Sequence, residues 1–320
     1  MACYNGQEIC AMRVLIVASY NTNRFAPFII EQADVLKNKG CEVFFFGLQG
    51  KGLLGYLKNL TSLKEKIKMV HPDVIHAHYG LSGLLANLQR KVPVITTYHG
   101  SDINYRWLLP FSFLSMKLSA WNIFVSDAIM KIARARKKSS VIPCGVNLDS
   151  IQLTSRRDAR DRMHLSADIP YILFSGAFDC EEKNPSLAKK VVELTGIPGI
   201  ELIELKGYSR EEVTFLFCAV NALLMTSFSE GSPQVIKEAM ACGCPIVSVD
   251  VGDVKERIVD LEGCFVVNSY NPAVLAEYLA KAGVFVGKTK GRERIIDDKL
   301  DNNSIANAII GIYRQVLSTH

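Results

Sequence analysis

Two carboxylates stand eight residues apart where a predicted helix begins: Glu230 precedes the helix and Glu238 lies inside it. They belong to the segment SEGSPQVIKEAMACG at 229–243. The first N–H groups of a helix have no partner within it and carry a partial positive charge, so they attract anions. A carboxylate offers two acceptors, which suits the vicinal hydroxyls of a ribose. The spacing indicates a sugar-nucleotide site, although an ordinary capped helix would show the same two acids.

Small residues occupy the turn between the two acids. Ser232 is predicted to cap the helix, Pro233 to take its first position and Gly243 to end it. Gly231 has no side chain, so a ligand can approach the backbone closely there. The chemistry expected at this turn is recognition of an anion by backbone amides, with Glu230 at the mouth accepting hydrogen bonds from sugar hydroxyls.

Apolar runs rich in β-branched residues alternate with helical patterns in two successive series along the chain. MRVLIVASY at 12–20 opens the first series and PYILFSGAF at 170–178 opens the second, with a polar stretch between them. Such alternation is typical of parallel sheets covered on both faces. The predicted fold class is therefore α/β, with two doubly wound, Rossmann-like domains facing each other across a cleft. Ligands of such sheets bind beyond the carboxyl ends of the strands.

The domain boundaries are predicted from the same pattern. We expect an N-terminal domain at 1–150 and a C-terminal domain at 151–303. The amphipathic segment at 304–320 is expected to be a helix that crosses back onto the first domain. A chain of 320 residues is long enough for two such cores.

Composition limits the location and the partners. No window of about 18 residues is wholly apolar, residues 1–11 contain no apolar run, and the nine cysteines form no CxxC pair. These features predict a cytoplasmic protein with reduced thiols. Residues 1–150 contain 18 Lys and Arg against 9 Asp and Glu, whereas 151–320 contain 19 against 23. The basic half suits an anionic membrane surface, or it is simply solvated. Its basic run lacks aromatic residues, which argues against nucleic acid.

Several familiar site motifs are missing. There is no GxGxxG after the first strand, no GxxxxGK[ST], no GxSxG, no HExxH and no Asp-x-Asp pair. His76 and His78 share one face of a predicted strand, and two histidines alone are read as structural. No metal site and no bound cofactor are therefore expected.

The segment SEGSPQVIKEAMACGCPIVSVDVGDVKERI resembles the donor site of glycosyltransferase family 4, whose members are retaining enzymes with the GT-B fold. RVLIVASY, FIIEQADVLKNKGCEV, DVIHAHYG, TYHGSD, FVSD and VIPCGVNLDSI resemble other parts of that family, in the same order along the chain. The likeness covers most of the chain. In this resemblance the first domain is the acceptor side and the second binds the nucleotide sugar.

The resemblance implies roles for the residues of the turn. Glu230 would contact the transferred sugar and Glu238 would hold the ribose hydroxyls of the donor. The backbone amides of Gly231, Ser232 and their neighbours would meet the sugar and the diphosphate, and Pro233 would belong to the same donor-binding turn. The donor, a nucleoside-diphosphate sugar, would be a substrate and not a cofactor.

The resemblance also implies roles outside the turn. Lys183 would neutralise the diphosphate, His99 would lie near the transferred sugar on the acceptor side, and Tyr208 would line the base site. Ala177 stands where the family often has an arginine, so that role falls to Lys183 alone or to Arg24. The catalytic residues implied are then His99, Lys183 and Glu230.

The function implied is metal-independent transfer of a sugar, with retention, to a hydroxyl acceptor. The acceptor would be a glycan or a lipid-linked glycan of the cell-envelope type, reached at the inner face of an anionic membrane. Two other functions stay open. The same fold serves phosphorylases and sugar-nucleotide epimerases, and the chain could bind a nucleotide sugar without catalysis.

Overall fold

The computed structural model describes residues 12–319, which form two compact units. The first unit extends to Gly145 and takes up the chain again from Asn302, whereas the second comprises Val146–Asp301. The ends of the second unit are paired with each other, because the Val146 N–H donates to the Leu300 carbonyl and Val146 forms a parallel bridge with Asp301. The chain therefore enters and leaves the second unit at one place.

The first unit is built on six strands: β1 (Arg13–Ser19), β2 (Glu42–Leu48), β3 (Val74–His78), β4 (Val94–Tyr98), β5 (Trp121–Phe124) and β6 (Ser139–Val141). All pair in parallel, in the order β2-β1-β3-β4-β5-β6. The connecting helices are α1 (Pro27–Asn38), α2 (Gly52–Leu57), α3 (Leu60–Val70), α4 (Gly80–Asn87), α5 (Ser101–Asn104), α6 (Leu109–Leu118) and α7 (Asp127–Ile132). The order reverses at β1, as in a doubly wound sheet.

The C-terminal helix, Asn302–Leu317, belongs to the first unit. Its buried residues Ile305, Ile309 and Tyr313 recur every four positions, so they lie on one face. That face packs with Ile29 and Leu36 of α1 in one apolar core of the unit. The amphipathic pattern is therefore satisfied by burial against the first sheet.

The second unit is built on five strands: β7 (Tyr171–Phe174), β8 (Glu201–Glu204), β9 (Ala222–Met225), β10 (Ile246–Val249) and β11 (Cys264–Val267). They are parallel, in the order β11-β10-β9-β7-β8. Its helices are α8 (Arg156–Arg162), α9 (Pro185–Leu194), α10 (Arg210–Ala219), α11 (Gln234–Cys242), α12 (Val254–Ile258), α13 (Pro272–Gly283) and α14 (Gly291–Asp297). The predicted α/β class with two doubly wound sheets is confirmed. Within residues 12–319, no helix combines the length and apolarity needed to cross a membrane.

Candidate active site

The helix α11 starts one residue later than the sequence predicts. Pro233 is its N-cap residue, with an extended backbone, and Gln234 is its first residue. The prediction that Ser232 caps the helix is wrong, because the Ser232 hydroxyl is engaged elsewhere: it donates to Asp253 Oδ2 at 2.7 Å. Gly243 ends the helix as predicted, with a left-handed φ of 69° that favours glycine.

Lys183 and Glu230 meet at the approach to α11. Lys183 Nζ donates to Glu230 Oε1 at 2.6 Å, and both side chains are largely buried. Lys183 ends a short 3₁₀ turn, Glu181–Lys183, in the connection that follows β7. A Cβ atom on Gly176 would lie 2.7 Å from Lys183 Cγ, so the glycine leaves room for the lysine stem. The structure thus brings together two predicted residues that are 47 positions apart in the chain.

Glu238 is paired with an arginine that sequence reasoning missed. Arg210 NH1 donates to Glu238 Oε1 at 2.7 Å; the carboxylate is largely buried, whereas the arginine side chain is about half exposed. Arg210 is the first residue of α10, whose start is set by a capping box between Ser209 and Glu212. The capping box explains where this helix begins. It gives no indication that Arg210 contacts Glu238.

A cavity of about 430 Å³ lies beside this ion pair. Glu238 and Arg210 line it, together with residues of α10, the end of α11 and the segment at the start of the second unit. Its lining includes Asn147, Ser150, Gln152, Thr214, Phe215 and Phe217. The cavity offers apolar walls, hydroxyl and amide groups, and the carboxylates of Glu211 and Glu238. Tyr208, predicted to line a base site, is partly exposed and precedes the lining residue Arg210 by two positions.

Two charged residues, Lys237 and Asp253, contact the Ser232 hydroxyl, a third, Arg257, contacts Asp253, and none of the three was a sequence candidate. Lys237 Nζ donates to Ser232 Oγ at 3.2 Å, and Arg257 Nε donates to Asp253 Oδ2 at 2.9 Å. The Lys237 side chain is fully buried and Asp253 is 2% exposed. The available signal was weak: Lys237 stands among the apolar residues Val235, Ile236 and Met240 of α11.

The turn that carries Gly231 is packed tightly against a second turn. Gly252 has a φ of +59°, and a Cβ atom there would lie 2.8 Å from the Gly231 carbonyl oxygen. A side chain at position 252 would therefore push the two turns apart. The close approach holds Gly231 against the segment that contains Asp253.

His99 lies in the first unit, directly after β4, and takes part in a histidine pair. Its Nε2 is 3.0 Å from His78 Nδ1, and its Nδ1 is 3.8 Å from Cys144 Sγ. The rings of Phe28 and Tyr79 flank it, with centroids 4.8 and 4.6 Å away. Burial, followed by the neighbouring His76 and His99, holds the pKa of His78 well below its ordinary value. His78 is therefore neutral, and one nitrogen of the pair donates to the other.

Asp102 supports the backbone beside His99. Its carboxylate accepts hydrogen bonds from the N–H groups of Gly80, His99 and Gly100. Burial raises the pKa of Asp102 to about 6, although the N–H groups of Gly100 and Gly80 act in the opposite direction. Asp102 also lines a cavity of about 640 Å³ within the first unit, together with Arg24, Tyr56 and Tyr79.

The predicted site residues fall into distinct places. Lys183, Glu230, Gly231, Ser232, Pro233 and Glu238 belong to the second unit, as does Tyr208, whereas His99 belongs to the first. His76 is buried between Thr97 Oγ1 and the Tyr313 hydroxyl, at 2.7 and 2.6 Å. Across residues 12–319, no group of three or more His, Cys, Asp or Glu side chains is arranged to hold a metal ion.

Two family models match the chain. The model described as Glycosyltransferase Family 4 matches residues 26–150, and the model described as Glycosyl transferases group 1 matches residues 170–282. The second match lies within the second unit and contains the Lys183–Glu230 pair, Glu238 and the residues around Ser232.

Known proteins resemble the chain over different extents. TuaC of Bacillus subtilis, a glycosyltransferase named for teichuronic acid biosynthesis, is 27% identical over 223 residues, which are 61% of this chain and 57% of TuaC. The match thus spans little more than half of that relative. Sucrose-phosphate synthase from Thermosynechococcus elongatus has a TM-score of 0.79 at 18% identity, covering 97% of this chain and 100% of its own. HepE of Anabaena in complex with UDP has a TM-score of 0.71 at 16% identity, covering 97% and 100%.

Proposed function

Because this chain belongs to glycosyltransferase family 4 and has the GT-B fold, we propose that it transfers a sugar from a nucleoside-diphosphate sugar to a hydroxyl acceptor. The proposal includes retention of configuration and a reaction that needs no metal ion or cofactor. The observation that carries it is the Lys183–Glu230 pair at the approach to α11. HepE, which has a similar fold, was crystallised in complex with UDP, and this similarity supports a nucleotide donor.

The diphosphate is proposed to bind between Lys183 and the turn that precedes α11. Without a ligand, the Lys183 ammonium is neutralised by Glu230 at 2.6 Å. A diphosphate brings two negative charges to the same place and competes for that ammonium. Glu230 is then available to accept hydrogen bonds from the transferred sugar. The N–H groups of Gly231 and Ser232 and the partial charge of the helix end add to the attraction for the phosphates.

The nucleoside is proposed to occupy the 430 Å³ cavity beside Glu238. Glu238 would accept hydrogen bonds from the two ribose hydroxyls, because a carboxylate matches a vicinal diol. Its pairing with Arg210 orients the carboxylate before the donor arrives. The base would extend towards the start of α10, where Tyr208 precedes Arg210.

The chemistry proposed is front-face transfer. The acceptor hydroxyl attacks the sugar from the side that the diphosphate leaves, and a phosphate oxygen receives its proton. Negative charge grows on the diphosphate in the transition state, so Lys183 and the backbone amides stabilise it where it develops. Each such donor contributes about 2–4 kcal/mol to lowering the barrier. His99, from the first unit, is proposed to contact the sugar on the acceptor side.

The acceptor is proposed to be a glycan or a lipid-linked glycan, met at the cytoplasmic face of an anionic membrane. The similarity to TuaC, a glycosyltransferase named for teichuronic acid biosynthesis, supports this class. In the first unit, Trp107 is 64% exposed and Leu114 48% exposed. Arg106 precedes Trp107 directly, and Lys117 follows Leu114 by three positions. Exposed apolar groups beside cations suit a lipid surface. Co-sedimentation with anionic vesicles tests this contact. If the Trp107→Ala, Leu114→Ala double variant sediments with the vesicles as wild type does, the proposed contact is wrong.

A donor screen tests the function directly. UDP-, GDP- and ADP-sugars are incubated with a mixture of glycan and lipid-linked acceptors, and products are followed by mass spectrometry. We expect a transferred sugar in the wild type. Glu238→Ala is expected to abolish donor binding while the circular dichroism spectrum stays unchanged, and Glu277→Ala, at an exposed position of α13, serves as the matched control.

Other outcomes would replace the proposal. Release of a sugar phosphate with inorganic phosphate as acceptor would identify a phosphorylase. An isomerised sugar nucleotide without acceptor would identify an epimerase. Tight binding without any turnover would identify a non-catalytic binder. Donor affinity equal to wild type in Glu238→Ala would contradict the ribose site.

A further inference from the structure

A fully buried lysine lies beneath the turn that precedes α11. Lys237 Nζ donates to Ser232 Oγ at 3.2 Å, and Ser232 Oγ donates to Asp253 Oδ2 at 2.7 Å. The same Asp253 oxygen accepts from Arg257 Nε at 2.9 Å. We call these four residues the Ser232 cluster. Its charges come from two helices, α11 for Lys237 and α12 for Arg257, with Asp253 immediately before α12.

Stability alone gives no reason for a charged group at position 237. Removing an ammonium from water costs several kcal/mol, and the attraction of a buried ion pair often only offsets that cost. Replacing buried ionic groups with apolar side chains of similar volume is often neutral or stabilising. A methionine would fill nearly the same space as Lys237 without desolvation. The lysine is therefore better explained by what its hydrogen bond holds in place.

The Ser232 cluster acts on the turn that contains Glu230 and Gly231. Ser232 is tied by its hydroxyl to both helices, while the Gly231 carbonyl is packed against Gly252. The turn is thus held at two adjacent residues, once through a side chain and once through the backbone. A displacement of about 1 Å in such a turn is enough to weaken recognition at a site of this kind.

We propose that Lys237 is a positioning residue for the donor's diphosphate: through the Ser232 hydroxyl it holds the amides of Gly231 and Ser232 in the geometry that binds phosphate oxygens. Lys237 does not touch the donor in this scheme. Asp253 fixes the direction of the Ser232 hydroxyl, and Arg257 holds the Asp253 carboxylate in place through its hydrogen bond. The inference rests on the proposed function, because it assigns the cluster to the same diphosphate site.

Comparing a diphosphate with its nucleoside separates positioning from general destabilisation. Calorimetry with UDP, GDP and ADP first identifies the diphosphate that wild type binds most tightly. The same diphosphate and its nucleoside are then titrated into Lys237→Met and Ser232→Ala. We expect the affinity for the diphosphate to fall about tenfold or more, with nucleoside affinity and melting temperature unchanged. Lys255→Met, an exposed lysine of α12, is the matched control.

The double variant adds a second criterion. If Lys237 acts through Ser232, the Lys237→Met, Ser232→Ala protein binds the diphosphate no more weakly than the weaker single variant. Additive losses would overturn the proposal, as would equal losses for diphosphate and nucleoside or wild-type affinity in both single variants. In each of these cases the wild-type binding leaves the proposed function standing. If wild type binds none of the three diphosphates, the proposed function fails together with this inference.

Discussion

The ammonium of Lys183 and the carboxylate of Glu230 form an ion pair 2.6 Å long, with both side chains largely shielded from solvent. In the proposed reaction these two groups have different tasks, since one meets the diphosphate and the other the sugar. Each holds the other in place until the donor arrives. Their substitutions should therefore affect different steps.

Removing the Lys183 charge should weaken both the donor's binding and its reaction. We expect Lys183→Met to lower kcat/KM about 100-fold, because one charge-stabilising donor contributes about 2–4 kcal/mol. The melting temperature should also fall, because the substitution leaves the largely buried Glu230 carboxylate without this partner. Steady-state kinetics test this. Lys190→Met is the control, because Lys190 forms an exposed ion pair of 3.0 Å with Glu193; equal losses in the two variants would contradict the role of Lys183.

Neutralising Glu230 should separate nucleotide binding from sugar transfer. Glu230→Gln keeps the size of the side chain but loses its charge, so the Lys183 ammonium has one competitor fewer for the diphosphate. We expect the free nucleoside diphosphate to bind at least as tightly as to wild type, while kcat falls. Calorimetry and transfer assays on the same preparation measure the two effects. If the variant instead bound the diphosphate more weakly than wild type, Glu230 would contribute to diphosphate binding, which contradicts a role confined to the sugar.

His76 should make the first unit sensitive to acid. Burial lowers the pKa of His76 to about 3, whereas an unfolded histidine titrates near 6.5. Between pH 6.5 and pH 3, the His76 imidazole is therefore protonated in the unfolded chain but neutral in the folded chain. The free energy of unfolding consequently decreases as pH falls over this range. Between pH 7 and 4.5 the loss is about 2–3 kcal/mol. Urea unfolding followed by the two tryptophans, both in the first unit, should show a shallower loss in His76→Gln.

Asp102 should act in the opposite direction on the same unit. Its pKa of about 6 in the folded chain lies above that of an unfolded aspartate near 3.9. The folded state then binds the extra proton, so its contribution to stability is complete below about pH 4 and is lost as pH rises through 6. The amide of the Asp102→Asn variant cannot titrate. The unfolding free energy of wild type relative to this variant should therefore decrease as pH rises from about 4 to above 6. A constant difference from pH 4 to 7 would show that Asp102 stays ionised.

The alternation of apolar and amphipathic segments determined the α/β class and both doubly wound sheets, because hydrophobic periodicity is a local property of the chain. The spacing of Glu230 and Glu238 suggested a sugar-nucleotide site, and the family resemblance implied a role there for Lys183. The same reasoning did not predict α14. This short helix packs closely against α11: a Cβ atom on Gly291 would lie 2.6 Å from the Met240 carbonyl oxygen, so a tertiary contact positions it.

Tertiary structure alone decided which partners the site residues have. Arg210 reaches Glu238 across 28 positions, and Ser232 gives its hydroxyl to Asp253, 21 positions away, instead of capping its own helix. The pairing of His78 with His99 also depends on two adjacent strands. Residue types, spacing and the family resemblance suggested candidate groups for a sugar-nucleotide site. The direction of each hydrogen bond depends on how helices and turns far apart in the chain pack against each other.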